Sequence, residues 1–149
     1  MRIGRWNVPG KPTAILVDFK QFLTRQNEIM TEYWKRFGVD SLTGNWDYRE
    51  SALFGYAAGR VIESFYNFNL EASDKVVAQF HEWMTGTGLL YLKSANVPIA
   101  TVFTTHATVI GRCIAGNNLP LYDGMMNWNA DEKARHFNVV ARHSLEKKA

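Results

Sequence analysis

The residues best suited to chemistry lie in one stretch, Pro98-Ile99-Ala100-Thr101-Val102-Phe103-Thr104-Thr105-His106-Ala107-Thr108-Val109-Ile110-Gly111-Arg112. An apolar, β-branched run breaks into a hydroxyl-flanked histidine, and an arginine follows one turn into a small-residue helix start. A neutral imidazole exchanges hydrogen bonds with a hydroxyl, and a guanidinium grips a phosphate in a fork. Free N–H groups in the first turn of the helix would favour an anion there as well. His106 and Arg112 are therefore candidates for a ligand carrying both hydroxyls and negative charge. The same spacing also describes an ordinary loop histidine followed by a surface arginine, and both readings stand at this level.

His81-Glu82 is a second candidate pair, for metal or for acid–base work. Neighbours at an extended strand end point apart, and neither an H-E-x-x-H pattern nor a cysteine set accompanies them, which argues against zinc. Gly86 and Gly88 permit close backbone approach, a weak signal by itself. Neither G-x-G-x-x-G nor a P-loop occurs, so no dinucleotide or NTPase site is indicated.

These residues need a scaffold. Residues 75–80 and 98–104 read as strands, with a helix at 85–94 between them. A crossover of that length joins parallel strands, and it should be right-handed. Both strands then point the same way, which brings His81-Glu82-Trp83 and Thr104-Thr105-His106 to one sheet edge. That edge is where open α/β sheets bind ligands.

Upstream, residues 3–7 and 13–19 are extended runs around Pro9-Gly10, a hairpin signal. The unalternating Ala14-Ile15-Leu16-Val17 reads as a strand buried on both faces, and Asp18 as a loop cap. Residues 22–37 suggest loosely packed helical turns ending at Gly38, and 40–47 a loop. Residues 48–68 form a helix with Phe54, Ala58, Val61, Phe65 and Phe68 as its apolar stripe, widened by Leu53, Ala57 and Ile62. Arg49, Arg60 and Glu63 take its polar side. A further helix starts near Thr108, residues 121–129 are irregular, and Asn129-Ala130-Asp131-Glu132 caps a last helix reaching Lys147. Its buried stripe would be Ala134, Phe137, Ala141 and Leu145. Arg135 and Arg142 fall opposite, beside His136 and His143. That basic face could meet RNA, though two arginines over two turns more often mark a solvated face.

Composition bounds the rest. At 149 residues with 46% hydrophobic residues, the chain supports one packed core. Its dense aromatics suit a tight core or a sugar-binding surface. A net charge of +3 is a weak signal for an anionic partner, and lysines and arginines scattered until the last turn point away from nucleic acid. The single cysteine, Cys113, excludes an internal disulfide and fits a reducing, cytoplasmic setting. No apolar run approaches the ~20 residues of a membrane span, and no signal-peptide core is apparent.

Gly4-Arg5-Trp6, Trp46-Asp47-Tyr48-Arg49-Glu50, Leu53-Phe54-Gly55, Gln79-Phe80-His81-Glu82-Trp83, the segment 103–112 and Asn127-Trp128-Asn129 together resemble the animal and fungal type of glycogen synthase, glycosyltransferase family 3. A bacterial member is the expected source. The resemblance implies a retaining glucosyltransferase that moves glucose from UDP-glucose to the non-reducing 4-hydroxyl end of an α-1,4-glucan such as glycogen. It implies no metal and no cofactor beyond that donor. The implied architecture is GT-B, two Rossmann-like domains facing across a cleft. By motif, His106 would contact the donor glucose as the catalytic residue and Arg112 would hold the donor phosphates. Glu82 and His81 would bind substrate in the same cleft.

The family's opening strand and Lys-x-Gly-Gly-type loop have no counterpart here, nor has its second domain. The expectation is therefore a partial Rossmann-like parallel sheet with flanking helices, an internal piece of the N-terminal domain that is inactive alone and partnered by the missing C-terminal domain. Uncovered sheet edges and apolar faces make homo-oligomers an expectation too. The alternative is a non-catalytic Rossmann-like module that binds glucan or nucleotide sugar.

Overall fold

The computed structural model describes residues 1–71 and 73–149. Strands β1 (Arg2–Arg5) and β2 (Thr13–Leu16) form an antiparallel hairpin with Arg2 opposite Leu16 and Arg5 opposite Thr13. Gly10, at φ +82°, makes the corner, as the Pro-Gly signal required. Burial on both faces is not found: Ile3 and Leu16 are each about two-thirds exposed. A short antiparallel pair has no layer on its outer side here. Its inner side and the long helix behind it enclose an apolar groove of about 520 Å³, lined by Ile3, Ile15, Val17, Val61 and Phe65. Asp18 caps the loop as expected, its Oδ1 accepting the Lys20 N–H at 3.0 Å.

A 3-10 turn at Lys20–Arg25 leads into helix α1 (Gln26–Phe37), which Gly38 ends at φ +64°. Far from loosely packed, α1 buries Ile29, Met30 and Tyr33. Helix α2 (Trp46–Asn69) starts where the Asn45 side chain accepts the Tyr48 N–H. Its buried face is Tyr48, Ala52, Leu53, Gly55, Tyr56, Ala57 and Gly59, while Phe54, Phe65 and Phe68 of the expected stripe are exposed. The small residues go inward because helix α3 (Gly86–Ser94) crosses there at backbone distance. A methyl group on Gly88 would stand 2.6 Å from the Gly55 carbonyl oxygen, and one on Gly59 would stand 2.8 Å from the Gly88 carbonyl. Two bonds pin the crossing: Thr87 donates to the Ala52 carbonyl at 2.7 Å, and Tyr33 donates to the Thr87 carbonyl at 2.8 Å.

Strands β3 (Val77–His81) and β4 (Ala100–Thr104) are parallel, with His81 opposite Thr104 and α3 as the crossover. Along β3 burial alternates: Ala78 and Phe80 face the core, while Val77, Gln79 and His81 face outward. That alternation sends His81 off the open face while Phe80 packs against α3. Helix α4 (Val109–Gly116), the short α5 (Leu121–Gly124), α6 (Ala130–His136) and α7 (Val140–Lys148) complete the fold. The last helix is thus two, broken at Asn138 with φ +55°. The Asn129 cap and the Ala134, Ala141 and Leu145 burial hold regardless. A main core joins α1, α2, α3, α7 and Phe80, and a smaller one joins Ile110, Ile114 and Ala134 under Trp128 and Phe137. The architecture is mixed α/β, a parallel strand pair with flanking helices, as expected of part of an N-terminal glycosyltransferase domain.

Candidate active site

All four expected site residues meet at the carboxyl edge of β3 and β4. The pairing continues one residue past β3, where the Glu82 N–H donates to the Thr104 carbonyl at 2.9 Å. Glu82 then takes φ +63°, ψ +162°, a conformation nearly confined to glycine and costing about 1–3 kcal/mol elsewhere. This is why the two neighbours do not diverge as an ideal extended strand end would have them. His81 Nδ1 lies 3.1 Å from His106 Nε2, and one oxygen of Glu82 accepts the His106 backbone N–H at 2.9 Å. The same carboxylate oxygen is 3.6 Å from the Arg112 guanidinium. Two loops and a helix start are thereby tied together by one strained residue.

Exposure divides the labour. The Glu82 side chain is 12% exposed and spends its oxygen on protein groups, whereas Arg112 is 62% exposed. His81 and His106 are exposed as well. One Glu82 oxygen thus ties the loop together, while the two imidazoles and the guanidinium face outward.

Behind the site, Thr108 caps α4 by accepting the Gly111 N–H at 3.1 Å. The first N–H of α4, that of Val109, donates to both carboxylate oxygens of Glu146 at 2.9 and 3.2 Å. The first turn is thus less free for an outside anion than its sequence suggested. Nothing in sequence spacing marked Glu146, which lies 37 positions away on a helix the periodicity merged with α6. Burial pushes the Glu146 carboxyl above its ordinary value, with Glu82 adding to the rise and the Val109 N–H opposing it. A group raised on folding contributes stability that is full below its unfolded value of about 4.5 and fades as pH rises through the folded value. Glu146→Gln, having no proton to lose, should flatten the stability–pH curve as pH rises above about 4.5. Urea midpoints across that range check this, and an unaltered slope would refute it.

A second support is a column under the 3-10 turn at Trp83–Thr85. Tyr48 stacks on Trp83 with centroids 6.0 Å apart, and the Arg142 guanidinium lies 5.2 Å from the Trp83 ring centre. Arg142 also faces Asp47 at 3.5 Å, and His143 pairs with Asp131 at 2.9 Å. Arg135 stays exposed on α6 while Arg142 sits on α7, so the expected joint basic face is split. Cys113 is half-buried, and burial pushes its thiol above the ordinary value while Arg142 opposes the rise. Among the described residues, no three His, Cys, Asp or Glu side chains gather as a metal site, and no helix is long and apolar enough to cross a membrane.

The family model for glycogen synthase matches residues 1–149. The chain belongs to the glycogen synthase family. It is 34% identical over its whole length to a glycogen [starch] synthase of Dictyostelium discoideum, covering 16% of that protein. It is 30% identical over 148 residues to the liver glycogen [starch] synthase of Rattus norvegicus, covering 21% of it. A Neurospora crassa glycogen [starch] synthase is 30% identical over 146 residues, with 20% of its length covered. The chain thus spans about a fifth or less of these curated relatives.

Proposed function

We propose that this chain forms one wall of the active-site cleft of a glycogen synthase, in which glucose passes from UDP-glucose to the 4-hydroxyl end of an α-1,4-glucan with retention. The observation that carries the reading is the meeting of His81, Glu82, His106 and Arg112 at one parallel-strand edge, in a chain of this family. In this reading the chain is part of the N-terminal Rossmann-like domain of a two-domain GT-B enzyme. Val77 and Val102, exposed on the outer face of the strand pair, suit further cover from the rest of such an enzyme.

The division of roles is the one the family resemblance implies, and the chemistry of the two side chains supports it. As UDP departs, negative charge grows on the diphosphate, and a preorganised cation is worth most where that charge develops. Arg112, 3.6 Å from Glu82 and largely exposed, would take the phosphate oxygens. His106, with its backbone anchored and its ring exposed, would bind a donor-glucose hydroxyl. This scheme calls on no metal ion. The opposing wall, with the remaining nucleotide contacts, would come from the C-terminal domain, so the isolated chain should not transfer glucose.

The test is glucosyl transfer to glycogen by the full-length enzyme carrying His106→Ala. A fall in kcat of about 100-fold or more is expected for a residue working at the reacting sugar. A near-normal rate would remove His106 from the chemistry.

A further inference from the structure

We propose that His81 is a positioning residue for His106, and that the two imidazoles work as one unit offering a single donor and a single acceptor to sugar hydroxyls. The inference rests on the reading that His106 meets the donor glucose.

The rings are nearly parallel, at 4°, with centroids 5.3 Å apart and Nδ1 of His81 3.1 Å from Nε2 of His106. A short nitrogen–nitrogen contact at that centroid separation is an edge-to-edge hydrogen bond, and such a bond holds one proton between two nitrogens. A neutral imidazole carries a single N–H. If His81 Nδ1 holds the shared proton, His81 Nε2 is an acceptor and His106 must carry its own proton on Nδ1. If His106 Nε2 holds it, His106 Nδ1 accepts and His81 Nε2 donates. Either way the neutral pair turns one donor and one acceptor outward, which matches a hydroxyl or two adjacent hydroxyls of a pyranose.

Among the described residues, His81 is the only side chain bonded to the His106 ring. The Glu82 carboxylate holds the His106 backbone, leaving rotation of the ring to His81. The charged neighbours, Glu82 and Arg112, stand beside the pair, and Arg112 is spoken for by Glu82 on one side. His81 itself is fixed by strand pairing with Thr104 and by Thr85, whose hydroxyl donates to the His81 carbonyl at 2.8 Å. A rigid strand end therefore holds the orientation of a ring on the loop and couples its tautomer to that of His81.

The experiment uses the full-length enzyme with UDP-glucose and glycogen, comparing His81→Ala, His81→Asn and His106→Ala, together with ring ¹⁵N spectra of selectively labelled histidine. Misplacing His106 in His81→Ala should lower kcat about 10- to 100-fold with little change in the donor KM. Asparagine places a hydrogen-bonding atom at the same bond distance as Nδ1, so His81→Asn should recover most of that loss. In the parent the two rings should show matching tautomers, both Nδ1–H or both Nε2–H, and the tautomer balance of His106 should change in His81→Ala. Unchanged kcat in His81→Ala, or a His106 tautomer indifferent to it, overturns the pairing. If His106→Ala is itself fully active, the active-site reading falls and the positioning role with it. A large His106→Ala effect beside a silent His81→Ala rejects the positioning role alone.

Discussion

Arg112→Ala in the full-length enzyme is expected to cut kcat/KM for UDP-glucose by about 100- to 1,000-fold, the usual cost of deleting a preorganised donor to developing charge. The guanidinium is largely exposed and makes only a 3.6 Å contact with Glu82, so its loss should leave folding nearly untouched. Arg112→Lys should recover little of the lost rate, because a point charge cannot reproduce the bidentate fork. The KM for glycogen should stay near normal. Steady-state kinetics with each substrate varied in turn distinguish these outcomes. A glycogen KM raised with an unaffected donor would move Arg112 to the acceptor side of the cleft.

Gly88→Ala should be the most damaging small substitution in the scaffold. Its methyl carbon would stand 2.6 Å from the Gly55 carbonyl oxygen and 2.8 Å from the Phe80 ring. Both neighbours are constrained, the first as helix backbone and the second as a core side chain of β3. The better helix propensity of alanine returns about 1 kcal/mol, but separating α2 from α3 should cost about 3 kcal/mol or more through lost packing. The Thr87–Ala52 and Tyr33–Thr87 hydrogen bonds lie in the same seam and would lengthen together. Because Phe80 precedes His81, the strain should also reach the site. Gly116→Ala is the matched control, since a methyl group there meets nothing within 4 Å. Thermal unfolding should show a large loss for the first and little change for the second; equal values would mean that the helix crossing is not close-packed.

The parallel strand pair was legible because its warrant is geometric. A helix-bearing crossover forces parallel strands, and parallel strands place His81 and His106 at one edge whatever the detailed packing. The Asn129, Thr108 and Gly38 helix boundaries were legible for a similar reason, since each depends on residues adjacent in the chain. The α2 stripe was misjudged because periodicity weighted the large aromatics Phe54, Phe65 and Phe68. The deciding contact is made by what Gly55, Gly59 and Gly88 lack, and absence of a side chain carries no hydrophobic signal. The hairpin's apolar run was misread in the same direction, as burial on both faces is a property of the surrounding layers.

At the site itself, composition and spacing supplied the residue types, and backbone conformation supplied the assembly. A positive φ at a glutamate has no propensity signature, yet it turns Glu82 back onto the His106 N–H. The Glu146 carboxylate on Val109 joins residues far apart in sequence with no shared period. The break at Asn138 likewise hid in a pattern that Ala134, Ala141 and Leu145 continue across it.

A structure of the full-length enzyme with UDP-glucose bound tests the central claim most directly. The account predicts donor phosphate oxygens within about 3.5 Å of the Arg112 guanidinium and a glucose hydroxyl at the same distance from a His106 ring nitrogen, with Glu82 still on the His106 N–H. A donor seated elsewhere, with neither side chain in reach of it, would contradict the assignment of this strand edge as the catalytic wall.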